Sequence, residues 1–197
     1  MIAIIDNYGS FTYNLYQAFG EINAETAVFA SGEVTIEELQ QLPIRAIVLS
    51  SGASTPDNTG IARQVLAAFA GSIPILGVGL GHLVIAEYYG ASVVQAQRIT
   101  HGKSIVIHHS GDPIFNGINN PFKAACYHSL IVKSDSVPDQ LQVLAVADTG
   151  EVMAVRHREH LVFGLQFHPE GTATECGRQL LDNFLKLESL GGGSGVV

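Results

Sequence analysis

The chain predicts an α/β fold: a mostly parallel sheet with helices on both faces, and a small antiparallel sheet in the second half. Three observations carry this expectation. In the first half, short apolar runs alternate with segments of helical periodicity, and the runs are continuous, as strands buried on both faces must be. Residues 74–90, PILGVGLGHLVIAEYYG, read as a buried strand, a glycine-dense turn and a helix. From Val93 onward, strand-like segments follow one another with turn signals at Gly111-Asp112-Pro113 and Asp148-Thr149-Gly150, so some of them should pair antiparallel.

Taken in order, residues 2–5 form the first strand and Asp6-Asn7-Tyr8-Gly9 a turn. Ser10 is placed to cap a helix over residues 11–19, with Phe11, Leu15, Ala18 and Phe19 on its inner face. Residues 24–30 read as a second strand. Thr35 and Glu38 form a capping box for a short helix. A third strand at 45–50 leads into the loop SSGASTPDNTG, and a helix follows over 61–69. The fourth strand, 74–78, enters the glycine turn. Short strands are expected at 93–97, 104–109, 130–134, 141–147, 152–157 and 162–167, and a closing helix over 174–187. No repeat or internal linker appears, so residues 1–188 are expected to form one domain and 189–197, with its run of glycines, a flexible tail.

Composition narrows the function. The net charge is −8, with 10 Lys and Arg against 18 Asp and Glu, and no basic stripe, which argues against a nucleic-acid partner. Only 14% of residues are charged, below the usual quarter. That points to a surface of small neutral residues, or one covered by a partner. No apolar run reaches the roughly 18 residues that span a bilayer. The start MIAIIDNYG lacks the basic segment of a signal peptide. With only two cysteines, Cys126 and Cys176, a reducing, cytoplasmic setting is expected, with no membrane, no cofactor and no metal.

Three loci could carry chemistry. The strand–turn–helix at 74–90 has the pattern of a nucleophile elbow, whose tip holds a side chain over a helix N-terminus. The tip here is Gly79, which has no side chain; the same pattern also serves simply to pack strand on helix. The second locus is His168-Pro169-Glu170, where a carboxylate two residues from an imidazole can fix its tautomer and raise its basicity. A surface histidine beside a chance glutamate has the same spacing. The third is Tyr127-His128-Ser129-Leu130. Neighbouring strand residues point to opposite faces, so His128 and Ser129 are not expected to act on each other, and a structural or ligand-contact role is preferred. Cys126 is a weak candidate for a relocated nucleophile, and Cys176 reads as a small packed residue. His101, His108 and His109 show no spacing to a carboxylate and read as turn or surface residues.

Five segments together resemble the class I glutamine amidotransferases, in particular the glutaminase subunits of anthranilate and aminodeoxychorismate synthases. They are IIDNYGSFTYNL (4–15), the loop Ser51–Pro56, GVGLGHLVIAEYYG (77–90), HGK with YHSL (101–103 and 127–130) and GLQFHPE (164–170). The resemblance implies a flavodoxin-like fold of that family, and it covers nearly all of residues 1–188. It also implies a mechanism in which a tip cysteine attacks the side-chain amide of glutamine, at the position matched by Gly79. His168 matches the base and Glu170 the residue that orients it. The N–H groups of Leu80 and Gly52 match the oxyanion donors, Leu83 stands where a substrate-contacting glutamine is usual, and Ser129 and Leu130 match positions that hold glutamine's amino-acid end. The resemblance further implies that the partner is a chorismate-utilising synthase subunit, facing Asp6, Asn7, Tyr8, Ser10, His101 and Lys103.

The chain departs from that pattern at several points at once. Gly79 stands in the nucleophile position, and the loop reads Ser50-Ser51-Gly52-Ala53-Ser54-Thr55-Pro56 where S-P-G-P-G-T-P is usual. Leu83 replaces a glutamine, and Gly171 follows Glu170 in place of a serine. Without a thiol no thioester forms. The reading preferred on these grounds is a pseudo-glutaminase that keeps its place beside a chorismate-type synthase. Two alternatives stay open. One is a divergent enzyme using His168–Glu170 as general base on another small molecule in the former glutamine pocket, with Ser51 or Ser54 as a weaker choice of nucleophile. The other is a glutaminase inactivated deliberately in the laboratory.

Overall fold

The computed structural model describes residues 1–52 and 55–191, with side chains to Leu187 in the last helix. Ser54 and the tail from 192 lie outside the described residues.

Within them, nine strands form one sheet, in the order β2-β1-β3-β4-β9-β8-β7-β5-β6. The first five, β2 (Thr26–Ala30), β1 (Ile2–Asp6), β3 (Ala46–Leu49), β4 (Ile75–Val78) and β9 (Val162–Leu165), run parallel. The antiparallel strands expected in the second half are present, and they extend this same sheet instead of forming a second one. They are β8 (Val152–His157), β7 (Leu141–Ala147), β5 (Val93–His109) and β6 (Phe122–Val132). The segments expected at 93–97 and 104–109 are one long strand, and β6 begins eight residues before the strand expected at 130.

The continuous apolar runs bury both faces of the sheet. Ile2, Ile4, Val48, Leu76, Val78, Phe163 and Leu165 point to one core, against Leu15 and Phe19 of α1 (Thr12–Glu21) and Leu180, Leu181 and Phe184 of α5 (Gly177–Gly191). Their alternates Ala3, Ile5, Ile47, Leu49, Ile75 and Val162 point to the other. There they meet Leu39 of α2 (Ile36–Gln40), Val65, Leu66 and Phe69 of α3 (Ala62–Phe69), and Leu83, Val84 and Ile85 of α4 (Leu80–Tyr88). This alternation follows from the two-residue period of a strand.

The first two helices differ in how their caps compare with expectation. The capping box of α2 forms as read: Thr35 Oγ accepts from Glu38 N–H at 3.2 Å, and Glu38 accepts from Thr35 N–H at 2.9 Å. Ser10 does not cap α1. It is exposed, and no side chain caps the first turn; the carboxylate of Asp6 instead orders the turn before the helix, accepting from Gly9 N–H at 3.2 Å and from the Thr12 hydroxyl at 2.6 Å. A carboxylate is a stronger acceptor than a hydroxyl, and from the end of β1 it reaches both groups of this turn, so the turn closes without Ser10. At the C-terminus, α5 runs on to Gly191 and takes in the first residues of the expected tail.

Because β1, β3, β4 and β9 are parallel, the loops after Asp6, Leu49, Val78 and Leu165 emerge at one edge of the sheet. Ligands of open α/β sheets bind at that edge.

Candidate active site

The centre of this edge is the turn from β4 into α4. Gly79 has φ 56° and ψ −107°, a conformation that L side chains rarely adopt. Gly81, in the first turn of α4, packs so tightly on β3 that a Cβ there would run into the carbonyl of Leu49. The glycines thus bring the N-terminus of α4 down onto the sheet. The N–H of Leu80, first in the helix, has no intrahelical acceptor. The elbow geometry is complete, and its tip carries no side chain.

His168 lies just beyond β9. Its main chain is pinned by a hydrogen bond from His168 N–H to Ala125 O at 2.9 Å and one from the Thr174 hydroxyl to His168 O at 2.5 Å. Phe11 and Tyr127 stand edge-on to the imidazole, with ring centroids 5.4 and 5.2 Å away. Nδ1 lies 2.7 Å from Glu170 Oε1, with both side chains shielded from solvent. A carboxylate here fixes the proton on Nδ1 and leaves the lone pair of Nε2 free. Nε2 is buried with no hydrogen-bond partner among the described residues. It faces the elbow: a Cβ built on Gly79 would be 3.3 Å from it. Spacing alone allowed this pair or a surface coincidence, and burial decides for the pair.

On the far side of the elbow, the loop after β3 is held from several directions. Asn7 N–H donates to Ser50 Oγ at 3.0 Å, Asn7 Nδ2 donates to Ser50 O at 2.8 Å, and Thr12 Oγ1, whose proton goes to Asp6, sits 3.1 Å from Ser50 Oγ. Ser50 Oγ in turn donates to Ser51 O at 3.0 Å. These bonds fix the backbone of Ser51 and Gly52 beside Gly79. Asn7 and Asp6 are therefore internal braces. Tyr8, Ser10, His101 and Lys103 are exposed on the same edge, and Tyr8 accepts from Gly32 N–H at 3.2 Å.

A cavity of about 310 Å³ opens above the elbow. Gly52, Gly79, Leu80, Leu83, Ser129 and Leu130, singled out from the sequence, all line it, and so does His101. The β5–β6 ribbon closes its outer side. Pairing in that ribbon shifts register between His101 and Lys103, where Gly102 takes φ 65°. Such shifts re-aim side chains, and here the His101 ring sits 5.3 Å from Tyr127 at the rim.

Sequence reasoning missed several wall residues. Ile99, Thr100 and Gln166 line the cavity. His128, for which a structural or ligand-contact role is expected, does stand in its wall, but its partner was missed: Nε2 lies 3.5 Å from Glu151 Oε2. Glu151 comes from a distant segment, and no local spacing could have paired the two. Burial pushes the His128 imidazole below its ordinary range, against the opposing pull of Glu151. Beneath the elbow, burial pushes His82 down to about 4. His108, read as unpaired, has Nε2 2.7 Å from Asp148 Oδ1 on the exposed side of the sheet, a contact made by tertiary pairing. Cys126 is fully buried and its thiol is pushed up to about 12. Burial also pushes the Cys176 thiol up to about 11. Among the described residues no group of His, Cys, Asp and Glu is arranged to hold a metal ion, and no helix is long and apolar enough to cross a membrane.

The model of the class I glutamine amidotransferase family matches residues 3–187. The chain belongs to the class I glutamine amidotransferase family. It is 45% identical over 186 residues to the aminodeoxychorismate/anthranilate synthase component 2 of Bacillus subtilis, covering 94% of this chain and 96% of that one. It is 45% identical over 185 residues to the aminodeoxychorismate synthase component 2 of Escherichia coli, covering 94% and 99%. A third similarity, 44% over 191 residues, is to the bifunctional protein TrpGD of Thermotoga maritima; it covers 96% of this chain and 32% of that longer protein. Among solved structures, a Thermoplasma acidophilum protein provisionally described as a component of GMP synthase superposes with a TM-score of 0.83 at 25% identity, covering 96% and 94%. The amidotransferase fold expected from the motifs is therefore the fold of the chain, and its relation to component 2 of these synthases is direct.

Proposed function

We propose that the chain is the amidotransferase-type subunit of a chorismate-utilising synthase and that it does not release ammonia from glutamine through a thioester. The observation that carries this reading is the elbow itself. His168 Nε2 faces a tip, Gly79, with no side chain to deprotonate. Neither cysteine offers a substitute, since both thiols are held protonated by burial far above the range of reactive thiols. The names of the relatives support the synthase partner. Tyr8, Ser10, His101 and Lys103 form the exposed face proposed to meet it, with Asp6 and Asn7 bracing it from within. Ammonia release from glutamine by the chain, alone and with a co-purified synthase subunit, tests the reading: background rates are expected. Glutamine-dependent release with ordinary turnover contradicts it, as does isolation of a clean monomer with no synthase partner.

One observation favours a second reading. An imidazole–carboxylate pair 2.7 Å apart stays assembled and shielded, with its basic nitrogen turned to the cavity. Such a pair suits a general base acting on a substrate other than glutamine. Leu83 in the wall, where the resemblance expects an amide, favours the same change of substrate. On this reading His168→Ala abolishes whatever turnover the cavity supports; an unchanged rate rejects it.

A further inference from the structure

We propose that Ser51 takes the place of the missing nucleophile, and that Ser51, His168 and Glu170 hydrolyse small neutral carboxylic esters in the cavity above the elbow. This rests on the second reading above and deepens it by naming the nucleophile and the substrate class.

The geometry comes from two sides of one point. The Cβ position on Gly79 lies 2.7 Å from Ser51 Oγ and 3.3 Å from His168 Nε2. The space a tip side chain would fill is thus flanked by a hydroxyl and by a buried imidazole nitrogen that lacks a hydrogen-bond partner among the described residues. Ser51 is a built feature of the site. Its carbonyl accepts from Ser50 Oγ, and that carbonyl packs so closely on Gly9 that a Cβ there would collide with it. With the backbone fixed, the side chain has only its χ1 rotamers to choose between, and the reaction requires one that turns the hydroxyl to Nε2. Nucleophile–base hydrogen bonds are often long without substrate and tighten when it binds.

The reaction balances as ordinary acyl transfer to water. Ser51 Oγ bonds to the carbonyl carbon while His168 Nε2 takes the hydroxyl proton, and Glu170 stabilises the imidazolium through Nδ1–H. The carbonyl oxygen becomes an oxyanion facing the free N–H of Leu80 at the start of α4. The ester C–O bond then breaks, and the leaving alkoxide takes the proton from His168. Water attacks the acyl-serine with His168 again as base, releasing the carboxylic acid and restoring the hydroxyl. The substrate class follows from the walls. Leu80, Leu83, Ile99 and Leu130 offer apolar surface, and among the described residues no Lys, Arg, Asp or Glu lines the cavity, so a neutral acyl group fits it better than a zwitterionic amino acid.

The test uses the full chain with p-nitrophenyl acetate as substrate and a fluorophosphonate as probe. The expected result is one adduct, on the peptide that carries Ser51, and turnover that falls about 10²-fold or more in both Ser51→Ala and His168→Ala, with circular dichroism unchanged. Loss of turnover in His168→Ala with full retention in Ser51→Ala overturns the role of Ser51 and leaves the general-base reading standing. A folded chain with neither adduct nor turnover overturns the esterase proposal, while an unchanged rate in His168→Ala overturns the general-base reading as well. Ser51→Cys gives an independent readout: below the ordinary thiol pKa of about 8.5, iodoacetamide should modify the new thiol faster in Ser51→Cys than in the Ser51→Cys/His168→Ala pair. Equal rates overturn the proposed contact.

Discussion

At the scale of single residues, Gly79 decides what the site can do. Its φ of 56° is comfortable only without a Cβ, and a Cβ would also press on Ser51 Oγ. Gly79→Ala is therefore expected to lower the free energy of unfolding by about 1–3 kcal/mol in urea denaturation. For the same reason Gly79→Cys alone is expected to leave glutamine hydrolysis near background, because the thiol and the Ser51 hydroxyl compete for one space. Full recovery in the single variant would mean that nothing but the thiol is missing, as in a chain inactivated on purpose. His82 sets a pH dependence. Its imidazole is held neutral, with a pKa lowered from 6.5 to about 4 by burial. The unfolded chain then binds the extra proton first, so stability is complete above about pH 6.5 and is lost as pH falls toward 4. Denaturation at pH 5 should show roughly 2 kcal/mol less stability than at pH 7 from this group, and a His82→Gln chain that folds should lose most of that difference.

At the scale of elements, legibility tracked locality. The α2 capping box needs only residues three apart, and it forms where the sequence places it. Thr35→Ala should cost about 1 kcal/mol, read as a shift in the urea midpoint. The parallel strands were legible because their apolar runs are continuous. The Gly-rich elbow was legible because Gly77, Gly79 and Gly81 crowd one turn. What escaped depends on pairing between distant segments. The β5–β6 ribbon was split because residues 98–103, polar and glycine-broken, look like a loop; the bulged register with β6 makes them a strand. Ser10 does not cap α1; the carboxylate of Asp6, reaching forward from the end of β1, holds the preceding turn instead. In the site, the His168–Glu170 pair was legible from a two-residue spacing. The His128–Glu151 contact was hidden because it joins segments far apart in the chain.

At the scale of the whole molecule, one sheet edge gathers everything that bears on function. The elbow, the brace at Ser50, the His168–Glu170 pair and the β5–β6 ribbon all meet there because four parallel strands end together. Tyr8, Tyr13, Tyr16 and Ile99 are the kind of exposed large apolar residues that a partner covers; Tyr13 is 66% and Ile99 74% exposed. The low charged fraction noted in the sequence agrees with such a covered surface. On this account the chain contributes a docking face and a modified pocket to a synthase, and ammonia reaches that synthase by another route. The most direct test is product formation by the chain's complex with its chorismate-utilising synthase, run with glutamine and, in parallel, with ammonium salts. The account predicts product from ammonium and only background from glutamine; product from glutamine at a comparable rate would contradict it.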